Sequence, residues 1–509
     1  MPIASRVALL AASTVALAAL LPTTVASAQF ATDATSPLAV WATASDDVQP
    51  KLAADAAGGS YVSFLSGSGY DVRLARLDAA GEPVWKGGSI LVEDRTLSST
   101  TDYGMASDAA GNAYLAYDAG SSIILSSFDP NGALRWRKTV GSGMVGRVNI
   151  DSEGHAWVAF LEGSSTRVQR FDASGNALLG AGVLLSETGA TQFVSDLQPS
   201  TGGAMIVACV RYTTFTGAKI LRAHRIEADG ARPWAANGVS VFTTGSLQFG
   251  NFPTFIPDGA GGAYFTWYAT NPLQCFVQRV DASGAVQYGT GGVAVTTTTT
   301  GAERVSPSIT LGDDGRLYAF WAQRTPNSSI YGIYGQSFAK GVRQWGASGA
   351  AVEPLATTYS RAWATAATAD GGVLCFYADS TSAVQDAIEC ARMNADGSVA
   401  WRAPVATNPG VKYRLVAQPS LADGSVLAWQ GGATTGASDV FAARIDGAGT
   451  LGPGASAPSP DLDGNGIVNA ADLAALLSQW GSAGSADLDE DGNVGAADLA
   501  ILLGAWTGK

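Results

Sequence analysis

Histidine, cysteine and charge are scarce in this chain, and each scarcity removes a class of chemistry. Two histidines, His155 and His224, each expected in a strand of a different repeat unit, leave a hydrolase triad or a His-based metal site poorly supplied. Four cysteines, Cys209, Cys275, Cys375 and Cys390, are too few and too scattered for a disulfide-built scaffold or a zinc site. Cys375 and Cys390 lie in consecutive apolar runs, GVLCFY and AIECARM, and are either a cross-strand disulfide or two buried thiols. Lys and Arg number 30 against 43 Asp and Glu, a net charge of -13, so there is no basic nucleic-acid footprint. Neither a G-x-S-x-G elbow nor a phosphate-cradling Gly-Lys motif occurs. One long apolar run exists, Val7 to Leu21 after Arg6, and Ala26-Ser27-Ala28 follows it. That pattern predicts a secretory signal over residues 1–28: the run is short for a membrane span, and no cysteine stands near the cleavage point for a lipid. The mature protein is expected to begin near Gln29 and to be secreted or displayed at the cell surface.

What the chain has in abundance is glycine, 62 residues of it, arranged periodically. From residue 49 to 451 one pattern recurs eight times. A first turn reads DAAGGSYVSF, DAAGNAYLAY, DSEGHAWVAF, PSTGGAMIVA, DGAGGAYFTW, GDDGRLYAFW, TADGGVLCFY and LADGSVLAW, with anchor glycines 43 to 59 residues apart. A second turn reads RLDAAGEPVW, SFDPNGALRW, RFDASGNALL, RIEADGARPW, RVDASGAVQY, SFAKGVRQW, RMNADGSVAW and RIDGAGTLGP. Asp or Asn followed by Gly supplies the side-chain bonding and the positive φ of tight hairpins. Four short strands per period near fifty residues predict the blades of an all-β propeller, eight of them, or seven with one degenerate unit. Most of the thirteen tryptophans recur at two places: Trp85, Trp136, Trp234, Trp345 and Trp401 after the second turn, and Trp157, Trp267, Trp321 and Trp429 on the second strand. Such recurrence predicts packing between blades rather than a row of sugar platforms.

The eighth unit has Pro453 where a Trp should stand and lacks a fourth strand. Residues 37–47, PLAVW onward, are expected to supply it, with Trp41 at the missing position, so that both ends of the chain close one blade. The hairpin turns then share one face, and the variable loops at 211–220, 269–274, 322–330 and 378–387 share the other, which is the favoured binding face. The TTTTT run at 296–300 reads as a connection between blades.

A small-residue and proline linker, 452–460, leads to residues 461–509, which carry eight acidic side chains against Lys509 alone. Here one motif occurs twice, DLDGNGIVNAADLAALLSQW and DLDEDGNVGAADLAILLGAW. Calcium wants six to eight hard oxygens, which a twelve-residue loop offers from positions 1, 3, 5, 7, 9 and 12. The first loop presents Asp461, Asp463, Asn465, the Ile467 carbonyl, Asn469 and Asp472; the second presents Asp487, Asp489, Asp491, the Asn493 carbonyl and Asp498, with water at Gly495. Two Ca2+ ions are expected, with Gly466 and Gly492 at the sharp central turns, Val468 and Val494 packing the loops together, and an apolar helix behind each loop.

These paired loops, each with a twelfth-position Asp and a following helix, resemble a type I dockerin over residues 461–506. The resemblance implies a small all-α calcium module, a cohesin-like partner and a tie to polysaccharide-degrading assemblies. The family's recognition positions, tenth and eleventh in each loop, fall on Ala470, Ala471, Ala496 and Ala497 in place of hydroxyl-bearing residues. The repeat domain is similar to secreted bacterial propellers with D-x-x-G-G turns and an R-x-D-x-x-G-x-x-x-W stretch. The function expected is therefore an exported, non-catalytic propeller, binding a glycan or surface ligand and attached to a larger assembly by its calcium module. The alternative is a polysaccharide-active hydrolase or lyase, since spacing in the chain does not reveal which carboxylates meet in space.

Overall fold

The computed structural model describes residues 29–507 apart from 98–100, 249, 299–300, 368–371, 383, 420–423, 433–436, 454–459, 463–466 and 489–491. Eight antiparallel sheets succeed one another along the chain, seven of four strands and one of five. Their first strands are Asp47–Ala54, Gly104–Ser107, Met144–Ile150, Thr191–Pro199, Phe255–Pro257, Glu303–Leu311, Tyr359–Ala367 and Val411–Pro419. Each of these touches the next and the eighth touches the first, so they ring a central axis. The protein is an eight-bladed β-propeller.

The core lies between blades rather than within them. Eight apolar clusters exist in the ring, and each draws on two neighbouring blades. That is why the second strands read as continuous apolar runs: the strand Ser60–Ser66 is buried at every residue because a neighbour covers each face. Trp157, Trp267, Trp321 and Trp429 sit there, all but wholly enclosed.

The tryptophans after the second turn fasten each blade to the next. The indole N–H of Trp85 donates to the Pro130 carbonyl at 2.9 Å, and those of Trp136, Trp234, Trp345 and Trp401 donate at 3.0 Å to Ala173, Ala282, Ala395 and Gly447. Each acceptor lies two residues before the second-turn glycine of the following blade, and the indole ring covers that glycine. A Cβ at Gly175 would stand 2.7 Å from the Trp136 ring, and one at Gly397 2.8 Å from Trp345. Those glycines also hold φ near +76° and +90°, so turn geometry and ring packing both demand the missing side chain. Leu179 and Tyr288 fill the equivalent cups at Gly230 and Gly341.

The two chain ends close the eighth blade. Leu38–Trp41 pairs antiparallel with Ser438–Ile445, Leu38 lying opposite Ala442. The expected place of Trp41 is corrected here: the cup at Gly81 is filled by Phe30, whose backbone N–H donates to the Ala80 carbonyl at 2.9 Å. Trp41 instead lies 5.9 Å from Phe64, beneath Arg73. Three further expectations change. His155 is not in a strand but in the turn ahead of Ala156–Glu162, and only His224 lies in one, Ile220–Ile226. The segment 269–274 is a hairpin of two turn residues between Ala263–Thr270 and Leu273–Val280. Most of 378–387 continues the strands Val373–Ser382 and Gln385–Met393. All four cysteines are buried free thiols.

Beyond the ring the chain forms two helices, α1 (Ala470–Ser478) and α2 (Ala496–Gly504), sharing an apolar cluster of Val468, Leu476, Ala486, Leu488, Val494 and Leu502. The Thr507 N–H donates to Val468 O and the Gly481 N–H to Val494 O, so the two halves clasp each other with matching bonds.

Candidate functional site

The aspartates of the first turns are structural, and the reason is visible in the repeat itself. In R-x-D the arginine reaches back along the sheet to the D-x-x-G aspartate of its own blade. Arg76 binds Asp55 at 2.8 Å, Arg170 binds Asp151 at 2.8 Å and Arg279 binds Asp258 at 2.8 Å, with all three carboxylates enclosed. Among the described residues, Asp151, Glu153 and His155 bring three possible ligand atoms within 4.8 Å of one another. Arg170 already lies on all three, 2.6 Å from Glu153 and 2.9 Å from the His155 Nδ1, so the position of a cation is taken by the chain's own guanidinium. Burial pushes the Asp151 carboxyl up, but bonds from the His155 backbone, the Trp157 indole and Arg170 outweigh it and hold it below the ordinary range. Burial, reinforced by Arg232 and Arg222, pulls His224 down to about 3, so its ring is neutral at neutral pH.

The paired C-terminal loops carry the residues expected to bind calcium. Asp463, Asn465, Asp489 and Asp491 lie outside the described residues. Asp472 and Asp498 stand in the first turns of α1 and α2, essentially buried. Asp472 accepts from the backbone N–H of Leu462 at 2.7 Å and of Asn469 at 2.9 Å; Asp498 accepts from Leu488 and Gly495, each at 2.5 Å. Each twelfth-position carboxylate therefore folds back over its own loop, tying positions 2 and 9 together. Asp461 and Asp487 are half-buried at the loop starts, and Asp487 accepts the central-turn N–H of Gly492 at 2.9 Å. The Asn469 side chain caps α1 by accepting from Ala471 N–H at 2.7 Å and donates to the Ile467 carbonyl at 3.1 Å. The Asn493 carbonyl belongs to an exposed residue beside buried Val494, and Ala470, Ala471, Ala496 and Ala497 are exposed on the first helical turns. No Lys, Arg or His occurs from 461 to 508, so no cation for these carboxylates comes from this stretch.

A second site lies on the face of the ring that carries the inter-blade connections. Between blades five, six and seven a cleft of about 250 Å³ is walled by Tyr268, Tyr331, Tyr359, Gln323, Arg324 and Arg361. The Tyr331 and Tyr359 rings meet edge to face at 4.4 Å, and the Arg361 guanidinium lies 5.3 Å from the Tyr359 ring and 6.0 Å from that of Tyr413. Tyr359 and Tyr413 remain 42% and 37% exposed, a large apolar outlay for a surface unless something covers it. A neighbouring hollow of about 290 Å³ continues past Phe252, Pro253 and Trp267. None of these tyrosines was singled out in the sequence; the available signal was their place at strand ends beside the variable segments, which aligns only once the blades are stacked. In the middle of the strand Gln385–Met393, Glu389 is half-buried, and burial, with Asp379 and Glu353 added, lifts its carboxyl to about 7.

No protein-family model matches the chain, and no curated protein matches it in sequence. Solved structures similar to it include the Dos1 propeller, 11% identical, covering 80% of this chain and 95% of that one at a TM-score of 0.47. A polysaccharide lyase of the PL25 ulvan lyase family is 11% identical over 82% of this chain and 95% of its own, at 0.41. The polysaccharide lyase Uly1 is 10% identical over 70% and 91%, at 0.42. At these identities and scores the likeness carries no argument about activity. Among the described residues, no helix is long and apolar enough to cross a membrane.

Proposed function

We propose that this is an exported carbohydrate-binding propeller joined to a larger extracellular assembly through a dockerin-like calcium module at its C-terminus. The observation that carries the binding role is the cleft at Tyr268, Tyr331 and Tyr359. Tyrosine rings offer flat apolar faces to the C–H side of sugar rings, while Gln323, Arg324 and Arg361 offer donors for hydroxyl groups along the edge. For the module, the support is the pair of buried acids, Asp472 and Asp498, in a stretch with no cationic side chain from 461 to 508. Asp461, Asp463, Asn465, Ile467, Asn469 and Asp472 would hold one Ca2+, and Asp487, Asp489, Asp491, Asn493 and Asp498 the other; the ions would neutralise acids that otherwise repel one another. A cohesin-like protein is the partner this reading implies, docking beside Ala470, Ala471, Ala496 and Ala497.

Full-length protein tested on a glycan array should bind, and Y359A should weaken binding about tenfold. Undiminished binding by Y359A rejects the cleft. Calcium titration should bind two ions and raise helical content, with D498N losing one; no heat and no gain of helix rejects the module. One observation favours a second reading, a polysaccharide-cleaving enzyme: a carboxyl that titrates near 7, such as Glu389, is what a general acid requires. Turnover of any bound glycan, abolished by E389Q, would establish it.

A further inference from the structure

The innermost strands hold a second chemical feature that the cleft does not explain. Among the described residues, four first strands carry a non-glycine residue in the left-handed region: Gln49 at φ 55°, Val145 at 60°, Ser306 at 54° and Arg414 at 51°. Each coincides with a bulge, where the strand slips register against its neighbour. A β-branched Val in this region is strained, and such strain persists only where the surroundings over-determine it. They do so here. The Val145 N–H is held by the Asp118 carboxylate at 3.1 Å, and the Gln49 carbonyl by the Tyr103 hydroxyl at 3.0 Å. Bulges re-aim side chains, and these set charged groups at the inner edge of the ring.

Lys51 and Arg147 occupy the same register position in blades one and three, opposite Ser63 and Ala159 of the second strands. Both reach Asp102 of blade two, at 2.7 and 2.6 Å. Burial, with Arg147 and Arg414 added, pulls the Lys51 ammonium below its usual range against the attraction of Asp102. Burial would lift Asp102, but Lys51 and Arg147 outweigh it and hold the carboxyl low. A second carboxylate here, Asp196, occupies the matching position in blade four and accepts from Gln198 at 3.0 Å; burial pushes its pKa up. Arg414 is exposed and makes no ion pair among the described residues. Lys51, Arg147 and Arg414 thus share this edge with Asp102 and Asp196, while Asp118 is engaged by the Val145 N–H; burial disfavours the charged form of both Asp196 and Asp118. Arg414 directly follows Tyr413, whose ring lies beneath Arg361. Rings and cations therefore line this face from Tyr331 and Tyr359 through Arg361, which also faces Asp386, and Tyr413 to Arg414, whose charge reaches Lys51.

We infer that the ligand of the loop face is an acidic polysaccharide, its sugar rings laid on Tyr359 and Tyr413 and an acid group seated between Arg414 and the Lys51–Arg147 pair at the centre of the ring. This rests on the carbohydrate-binding reading and adds the ligand's charge to it. Guanidinium and ammonium groups on a rigid strand edge favour carboxylate or sulfate over hydroxyl, and because Arg414 is exposed the attraction weakens as salt rises.

The test is calorimetry on the full-length protein with oligogalacturonate, hyaluronate oligomers and a sulfated galactan, each beside a neutral oligosaccharide of similar length. At least one acidic probe should bind, at least tenfold more weakly in R414Q and again at 0.5 M salt, while neutral probes bind weakly in both proteins. R414Q removes an exposed side chain, so an unchanged melting temperature shows that the ring is intact; K51M would also open the Asp102 bridge and serves as the second variant. Equal binding of neutral and acidic probes, or acidic binding untouched by R414Q and salt, overturns the charge assignment and leaves carbohydrate binding standing. If no acidic or neutral probe binds, both fall.

Discussion

The ring and the C-terminal helices both enclose aspartates, and they balance the charge in opposite ways. In the ring Asp55, Asp151 and Asp258 are enclosed, and each meets an arginine from the third strand of its own blade, so the repeat carries its cation with it. In the tail Asp472 and Asp498 are equally enclosed, yet no Lys, Arg or His occurs between 461 and 508, and the bonds they accept come from backbone N–H groups. A buried carboxylate needs compensation, and an internal guanidinium makes a turn independent of its medium. A loop whose buried carboxylates accept from backbone N–H groups, in a stretch with no cationic side chain, leaves room for a cation from solution. By the same contrast the Asp151, Glu153 and His155 cluster needs no metal ion, because Arg170 is already in place.

The strongest way to separate the two regions is to open the ring. Deleting residues 29–41 removes Phe30, Leu38 and Val40 from the cluster that joins blades eight and one. At about 1.5–3 kcal/mol for each fully buried side chain, the loss is on the order of 5–9 kcal/mol. The ring should melt far earlier while the calcium response of the tail is kept; unchanged melting would show that the closing strand is dispensable. A sharper cut takes the internal cation away. R170M leaves Asp151 buried beside a neutral side chain and should cost about 3–5 kcal/mol in denaturant unfolding. The loss should be the same with calcium or chelator; rescue of R170M by calcium would mean that the turn can bind metal after all.

The smallest effect concerns a carboxylate that neither region's rule covers. Glu389 titrates near 7 in the folded ring because burial, Asp379 and Glu353 disfavour its charge, against 4.5 for the ordinary group. Its contribution to stability is complete below pH 4.5. As pH rises from 4.5 to 7 the unfolded chain releases the proton first, so stability falls by about 2–3 kcal/mol, and the loss is complete above 7. E389Q should flatten that slope and leave the alkaline protein more stable than the parent; an unaltered pH profile would show that Glu389 ionises freely.

Much of the ring was legible because its signals are local. The Asp-Gly turns, the recurring tryptophans and the missing fourth strand of the eighth unit all follow from hairpin chemistry, and the closing strand Leu38–Trp41 lies within the stretch expected. The error over Trp41 has a physical source. Sequence alignment matches tryptophan with tryptophan, whereas the cup over a second-turn glycine accepts any side chain that covers it, and Phe30, Leu179 and Tyr288 serve in three of the eight blades. The cleft was illegible for a different reason: Tyr268, Tyr331 and Tyr359 come from three blades, and nothing in their local sequence marks them as neighbours. In the tail the twelfth-position aspartates and alanines could be named from the motif, while the way Asp472 and Asp498 fold back onto their own loops required the structure.

What the sequence determined by itself was the unit: a four-stranded sheet with Asp-Gly turns, an aromatic to cover the next turn, and twinned acid-rich loops at the end. Such patterns are set by φ preferences, side-chain-to-backbone bonds and apolar alternation, which act over a few residues. Only the tertiary structure decided which side chains meet across blades, because the arginine that neutralises an aspartate and the tyrosines that share a cleft are brought together by stacking sheets around an axis. Contacts of that kind depend on the closure of the ring, and closure is a property of the whole chain.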